Sequence, residues 1–188
     1  MTSRQRPWPR AWLMTDERMG ERLWTAINRL PINHAGIVFR HYATSPEVRA
    51  ILARRIADIC DRRGLALAIA ADVDLARTLG ADLVHNPTGT TYGLPFSRAV
   101  HSIEEADAAK AEGAALVFVS PVYPTTSHPG GKPLRHALAL KIAKAAGVPA
   151  IALGGMDSVK SAQLERDGFY GWAGIDAWLR GPSRDSIA

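Results

Sequence analysis

Short apolar runs alternate with longer amphipathic stretches along the chain. Strand-like runs fall at Trp12–Thr15, Gly36–Arg40, Leu65–Ala70, Leu83–His85, Ala99–His101, Leu116–Ser120, Ala150–Leu153 and Gly171–Ala173. Between most of them lie stretches of helical period, at Glu21–Leu30, Pro46–Arg63, Asp74–Leu79, Ile103–Glu112, His136–Ala146 and Ser158–Asp167. Ser45-Pro46 sets a cap followed by proline at the first helical position, and Ser102 with Glu105 forms a capping box. Gly64, Gly80, Gly113, Gly147 and Gly168 each close a helical stretch. Strands alternating with helices predict parallel β-α units, and eight such units predict an α/β fold, a compact (β/α)8 TIM barrel. The segment after His85, Asn86 to Pro95, has no helical period, so a loop is expected in place of the fourth helix. An open doubly wound sheet is the competing topology. No G-x-G-x-x-G follows the first strand to favour it.

Composition narrows the class. With 188 residues, 47% hydrophobic and 22% charged, residues 1–188 suit one soluble domain, with 1–10 and 181–188 expected to fray. The net charge is +5, but the arginines are scattered and form no basic stripe interleaved with aromatics. That argues against nucleic acid as a partner and is compatible with small anionic substrates. Cys60 is the only cysteine, so neither an intrachain disulfide nor a cysteine-based zinc site is available; a cytoplasmic location is expected. No run reaches the roughly 18–20 apolar residues of a membrane helix. Trp8 and Trp178 look exposed and offer a contact for a homo-oligomer.

In a β/α barrel the site lies at the C-terminal ends of the strands. That rule selects Thr15-Asp16, Arg40, Asp72, His85, His101, the segment after Val119, Gly154-Gly155 and Asp176. Arg40 ends an apolar run with a planar fork suited to phosphate or carboxylate; the other reading is an ion pair with an aspartate of a neighbouring strand. Gly154-Gly155 either lets backbone amides approach an anion or makes a tight turn. His85, His101 and His128 are candidates for acid–base work, and His85 and His101 also read as satisfied buried histidines. Residues 119–131, VSPVYPTTSHPGG, leave the sixth strand rich in hydroxyls and constrained by proline.

Four stretches carry a resemblance: AWLMTDER at 11–18, DVDLARTLGADLVH at 72–85, residues 99–131, and VPAIALGGMDS at 148–158. Along nearly its whole length the chain resembles the thiamine-phosphate synthase / thiazole tautomerase (TenI-like) family. The resemblance implies a β/α barrel enzyme of thiamine biosynthesis. Its synthase branch joins hydroxymethylpyrimidine pyrophosphate to thiazole phosphate, with magnesium and release of pyrophosphate. Carried onto this chain, it implies phosphate-binding hydroxyls at Thr125 and Ser127, with His128 in place of a lysine. It puts the pyrophosphate-contacting arginine at Arg40 and phosphate-holding glycines at Gly154 and Gly155. Arg40 and His128 are the expected catalytic residues; His85, His101 and Asp176 are expected to line the substrate.

The chain departs from the pattern where the metal is concerned. Ala70-Ala71 replace an Asn-Asp pair, and the second carboxylate falls near Thr90, so Asp72 is the substitute ligand to consider. Tyr42 replaces a lysine, Asp176 a phosphate-loop serine, and Pro121 the tautomerase histidine. The alternatives to a synthase are a metal-free TenI-like thiazole-phosphate isomerase or a ligand-binding barrel, and a catalytically empty regulatory protein.

Overall fold

A computed structural model describes residues 7–125 and 132–180. Eight parallel strands close into a barrel in sequence order. They are β1 (Ala11–Met14), β2 (Ala35–Phe39), β3 (Ala66–Ala70), β4 (Leu83–His85), β5 (Phe96–Val100), β6 (Leu116–Val119), β7 (Ala150–Leu153) and β8 (Gly171–Gly174). Around them run α1 (Arg22–Asn28), α2 (Pro46–Arg63), α3 (Val73–Leu79), α4 (Ile103–Ala111), α5 (His136–Ala146), α6 (Ser158–Asp167) and a short α7 (Asp176–Leu179). No helix stands between β4 and β5, as the pattern of Asn86 to Pro95 requires. Closure is made by β1 pairing with β8 in parallel, Leu13 beside Gly174.

The two periods sort the core. Trp12, Met14, Val38, Ala68, Leu83, Leu116, Phe118, Ile151 and Ala173 fill the barrel. Trp12 and Phe118 meet edge to face at 5.8 Å. Trp12 has room because its neighbour on β2 is Gly36, where an added Cβ would lie 2.5 Å from the indole. Residues of opposite parity pack outward under the helices. The α2 stripe Arg49, Ala53, Ile56, Ala57, Cys60 repeats at helical spacing and is buried. Burial pushes the Cys60 thiol up to about 12, which makes it an inert core thiol.

Gly64, Gly80, Gly147 and Gly168 take left-handed C-caps. Ser102 accepts from the Glu105 amide at 3.2 Å, and Glu105 reaches back to the amide of His101, one residue before the cap. Ser45 holds the N-cap position of α2 without a side-chain cap bond, so proline alone marks that start.

Three expectations are corrected. β5 begins at Phe96, not Ala99, and His101 lies beyond its end. Arg98 lies within the strand, its guanidinium bonded to Glu112 and to the Pro87 carbonyl. α7 was not expected; it packs on α1, and Arg29 takes the Trp178 and Leu179 carbonyls. Nor is Trp178 exposed. It stacks on Trp172 at 4.9 Å and donates its indole N–H to the Trp12 carbonyl. Trp8 is likewise only partly exposed. Among the described residues no helix is long and apolar enough to cross a membrane.

Candidate functional site

Arg40 follows β2 with the parity of Gly36 and Val38, so it turns into the mouth of the barrel. Its Nε donates to the Thr15 carbonyl at 2.9 Å, and its backbone amide donates to Thr15 Oγ1 at 3.0 Å. Nη2 reaches Asp16 Oδ2 only at 3.5 Å. Among the described residues no buried side-chain nitrogen or oxygen is left without a partner. The ion-pair reading of Arg40 is met by this long contact with Asp16. Burial lowers the Arg40 pKa, and the Asp16 charge opposes this. Asp16 is held tightly by Arg18, whose Nε and Nη2 donate to its two oxygens at 2.7 and 2.8 Å. That fork brings the Asp16 carboxyl down to about 2 despite its partial burial.

His85 lies under this mouth and does not reach it. It is 2% exposed, edge-on to Phe118 at 5.1 Å. The Asn86 side-chain oxygen accepts from the Ala99 amide, which directs the Asn86 NH2 to His85 Nε2 at 3.4 Å. Nδ1–H then donates to Ser97 Oγ at 3.0 Å, so the neutral ring is fully used. Burial, with a smaller contribution from Arg40 and Arg98, pushes its pKa down to about 3. This corrects the acid–base reading of His85. Its ordinary pKa is near 6.5, so between that value and about 3 the unfolded chain carries a proton the folded chain refuses. Stability falls as pH is lowered through that window. His85→Asn, which keeps a donor toward Ser97, is expected to flatten the profile by about 1.4 kcal/mol per pH unit. Urea denaturation from pH 7 to pH 4 measures it; an unchanged slope would contradict the assignment.

His101 is exposed at the β5 exit, its Nδ1 2.7 Å from the Ser120 carbonyl. Nδ1 therefore donates to that carbonyl. The Ser120 hydroxyl lies 3.4 Å from the same nitrogen.

The β6 exit rests on the β7 exit. Val122 and Tyr123 donate amides to the carbonyls of Leu153 and Gly154 at 2.9 and 3.1 Å. Gly154 and Gly155 have φ of +96° and +60°. A Cβ on Gly154 would lie 2.9 Å from Pro121 Cα, and one on Gly155 would strike the Pro124 carbonyl oxygen. The glycines thus seat the hydroxyl-bearing loop, a packing task beyond the backbone approach to an anion. Lys160 locks the seat: Nζ donates to the Gly155 carbonyl at 2.7 Å and sits 5.2 Å from the Tyr123 ring centroid. Thr125 follows directly. Ser127 and His128 lie outside the described residues.

Asp72 is not available as the magnesium ligand considered above. It caps α3 by accepting from the Leu75 amide at 2.9 Å, and its other oxygen accepts from Arg49 Nη1 at 2.9 Å. Arg49 also donates to the Ala70 carbonyl and lies against the Phe39 ring. A divalent cation at Asp72 would meet a guanidinium at hydrogen-bond distance. Asp16 is engaged in the same way. The described residues contain no group of three or more His, Cys, Asp or Glu side chains that could hold a metal ion. Among the described residues the protein side chains alone therefore do not fit a resident magnesium. Asp176 is the first residue of α7, and its charge acts on Arg18. A polar cavity of about 310 Å³ opens beside the β3 exit, lined by Asp72, Asp74, Thr88, Thr90 and Tyr92. A larger groove of about 530 Å³, around Arg10, Pro149 and Tyr170, includes no strand-exit residue.

Arg18, Arg49 and Lys160 escape a rule that reads strand ends alone. Arg49 carried a signal, a charge on an otherwise apolar helical stripe. Lys160 and Arg18 carried none beyond standing near an exit.

A closed β/α barrel with a largely buried arginine at the end of its second strand defines the class: a β/α barrel whose site lies at the strand exits. The family model described as thiamine monophosphate synthase matches residues 96–178. An Aquifex aeolicus protein provisionally named thiamine-phosphate synthase 2 is 32% identical over 141 residues, 73% of this chain and 75% of that protein. The thiamine-phosphate synthase of Salinispora arenicola is 36% identical over 67% of this chain and 66% of its own length. Thiamine phosphate pyrophosphorylase of Pyrococcus furiosus superposes with a TM-score of 0.78 at 19% identity, covering 92% of this chain and 88% of that one. The chain belongs to the thiamine-phosphate synthase family.

Proposed function

We propose that the chain is a cytoplasmic thiamine-phosphate synthase, a transferase that joins hydroxymethylpyrimidine pyrophosphate to thiazole phosphate and releases pyrophosphate. The observation that carries this reading is Arg40, a largely buried fork at the barrel mouth, anchored through Nε to the Thr15 carbonyl and only loosely paired with Asp16 through Nη2. The leaving pyrophosphate takes the electron pair of the bond that breaks, so the site must meet growing negative charge with fixed donors. Arg40 supplies two of them. The Thr125 hydroxyl belongs to the same anion-binding surface, and the resemblance adds Ser127 and His128. Gly154 and Gly155 hold that surface in place for the thiazole phosphate. His101 is an exposed histidine at the β5 exit of this mouth. Its small partners are the two phosphorylated ligands.

The purified chain is expected to convert the two substrates, with magnesium present, to thiamine phosphate and pyrophosphate in equal amounts, followed by chromatography. Folded protein that forms neither product would refute the proposal. Repeating the reaction with chelator reads the magnesium dependence that the resemblance implies. The competing reading, a metal-free isomerase or ligand-binding barrel, is favoured by the engagement of Asp72 with Arg49 and by the alanines at 70 and 71. It expects thiazole phosphate to raise the melting temperature, chelator to leave that rise unchanged, and no joined product to form.

A further inference from the structure

We propose that Arg18 is a second anion-binding arginine of this mouth and that Asp16 is the resident anion a phosphorylated ligand displaces. The inference rests on the proposed reading of the mouth as a pyrophosphate site and adds how its charge is met without a carboxylate-held cation. Three observations carry it. Asp16 sits between two guanidinium groups, bidentate on Arg18 and at the limit of hydrogen bonding from Arg40. Arg40 is fixed by the Thr15 carbonyl through Nε, so its outer edge cannot follow Asp16 and stays incompletely filled. Arg18 is 60% exposed against 17% for Arg40, so one fork is anchored and the other is free to swing.

Charge decides the exchange. Asp16 offers one negative charge to two cations, whereas a pyrophosphate offers more and presents oxygens on two sides. Two planar forks suit such a group better than a single carboxylate does. Glu17 also faces both arginines, and its Oε1 accepts from the Ala43 amide at 2.7 Å, which ties it to the β2 side without an ion pair to Arg40. Asp176 attracts Arg18 from the β8 side and would repel an incoming anion from that side. The anion is therefore expected between β1 and β2. In this chain the neutralising charge comes from arginines, consistent with the poor fit of the carboxylates to a metal.

The test is calorimetric titration of inorganic pyrophosphate into the full chain, with chelator present. Asp16→Asn keeps an oxygen to cap the 3₁₀ turn at Glu17–Met19 but loses the charge; it is expected to bind pyrophosphate up to about fivefold tighter. Arg18→Ala, at an exposed site, is expected to bind it about ten- to a hundredfold more weakly, with an unchanged melting temperature. Arg18→Lys is expected to fall between Arg18→Ala and wild type. No binding by the wild type, equal binding by Arg18→Ala, or weaker binding by Asp16→Asn would each overturn the proposal. Pyrophosphate binding that follows the prediction without thiamine phosphate formation would sink the synthase reading alone. Product formation with no effect of Arg18→Ala on pyrophosphate would sink this inference alone.

Discussion

Arg40→Ala is expected to lower product formation by at least about thirtyfold, because truncating one partner of a buried charged contact costs about 2–5 kcal/mol. The side chain is positioned by a backbone carbonyl, is 17% exposed, and presents its remaining donors to the mouth. Alanine removes the donors and leaves the Thr15 carbonyl without its partner. Asp16 keeps Arg18, so the fold around β1 is expected to survive. Arg40→Lys separates charge from geometry. An ammonium cannot bond the Thr15 carbonyl and also present a planar edge to an anion, so lysine is expected to recover only part of the loss. The steady-state rate and the affinity for pyrophosphate should fall together. A variant that is folded and retains wild-type rate and affinity would remove Arg40 from the site.

Gly155→Ala is expected to destabilise the chain by about 2–5 kcal/mol and to abolish ligand binding with it. Two costs add. The backbone at φ +60° is left-handed, which a Cβ disfavours, and that Cβ would strike the Pro124 carbonyl oxygen and lie 2.8 Å from Tyr123 Cβ. The β6 exit must move to admit it, and Thr125 moves with that exit. Gly80→Ala is the control. It has φ +64° with nothing within 4 Å, so it pays only the backbone term, about 1–2 kcal/mol. Thermal melts of the two variants separate strain from collision. Equal losses would mean that the β6 exit does not rest on Gly155.

Much of the barrel was legible because each strand is bounded by turn residues and each buried helical stripe is long enough to show its period. The β4–β5 connection was legible for the opposite reason, since Asn86 to Pro95 has no period at all. What failed to show were places where a polar residue is satisfied from far away in sequence. Arg98 lies inside β5 ahead of the apolar run, and nothing local reveals that Glu112 and Pro87 take its guanidinium. α7 is four residues long, too short for a period, and depends on packing against α1.

The site followed the same division. Strand-end position alone brought out Arg40, Gly154 and Gly155. It also brought out His85, because strand ends do not reveal depth, and only the closed barrel shows that Asn86 and Ser97 seal the ring. Asp72 looked available because its partner, Arg49, arrives from another helix.

The central claim is that this mouth carries out pyrophosphate-releasing transfer, and the most direct test is pyrophosphate release by wild type and Arg40→Ala side by side. Wild type is expected to release pyrophosphate when both substrates are present and not with either alone, matched by thiamine phosphate, while Arg40→Ala releases almost none. Folded wild type that releases no pyrophosphate with both substrates would contradict it.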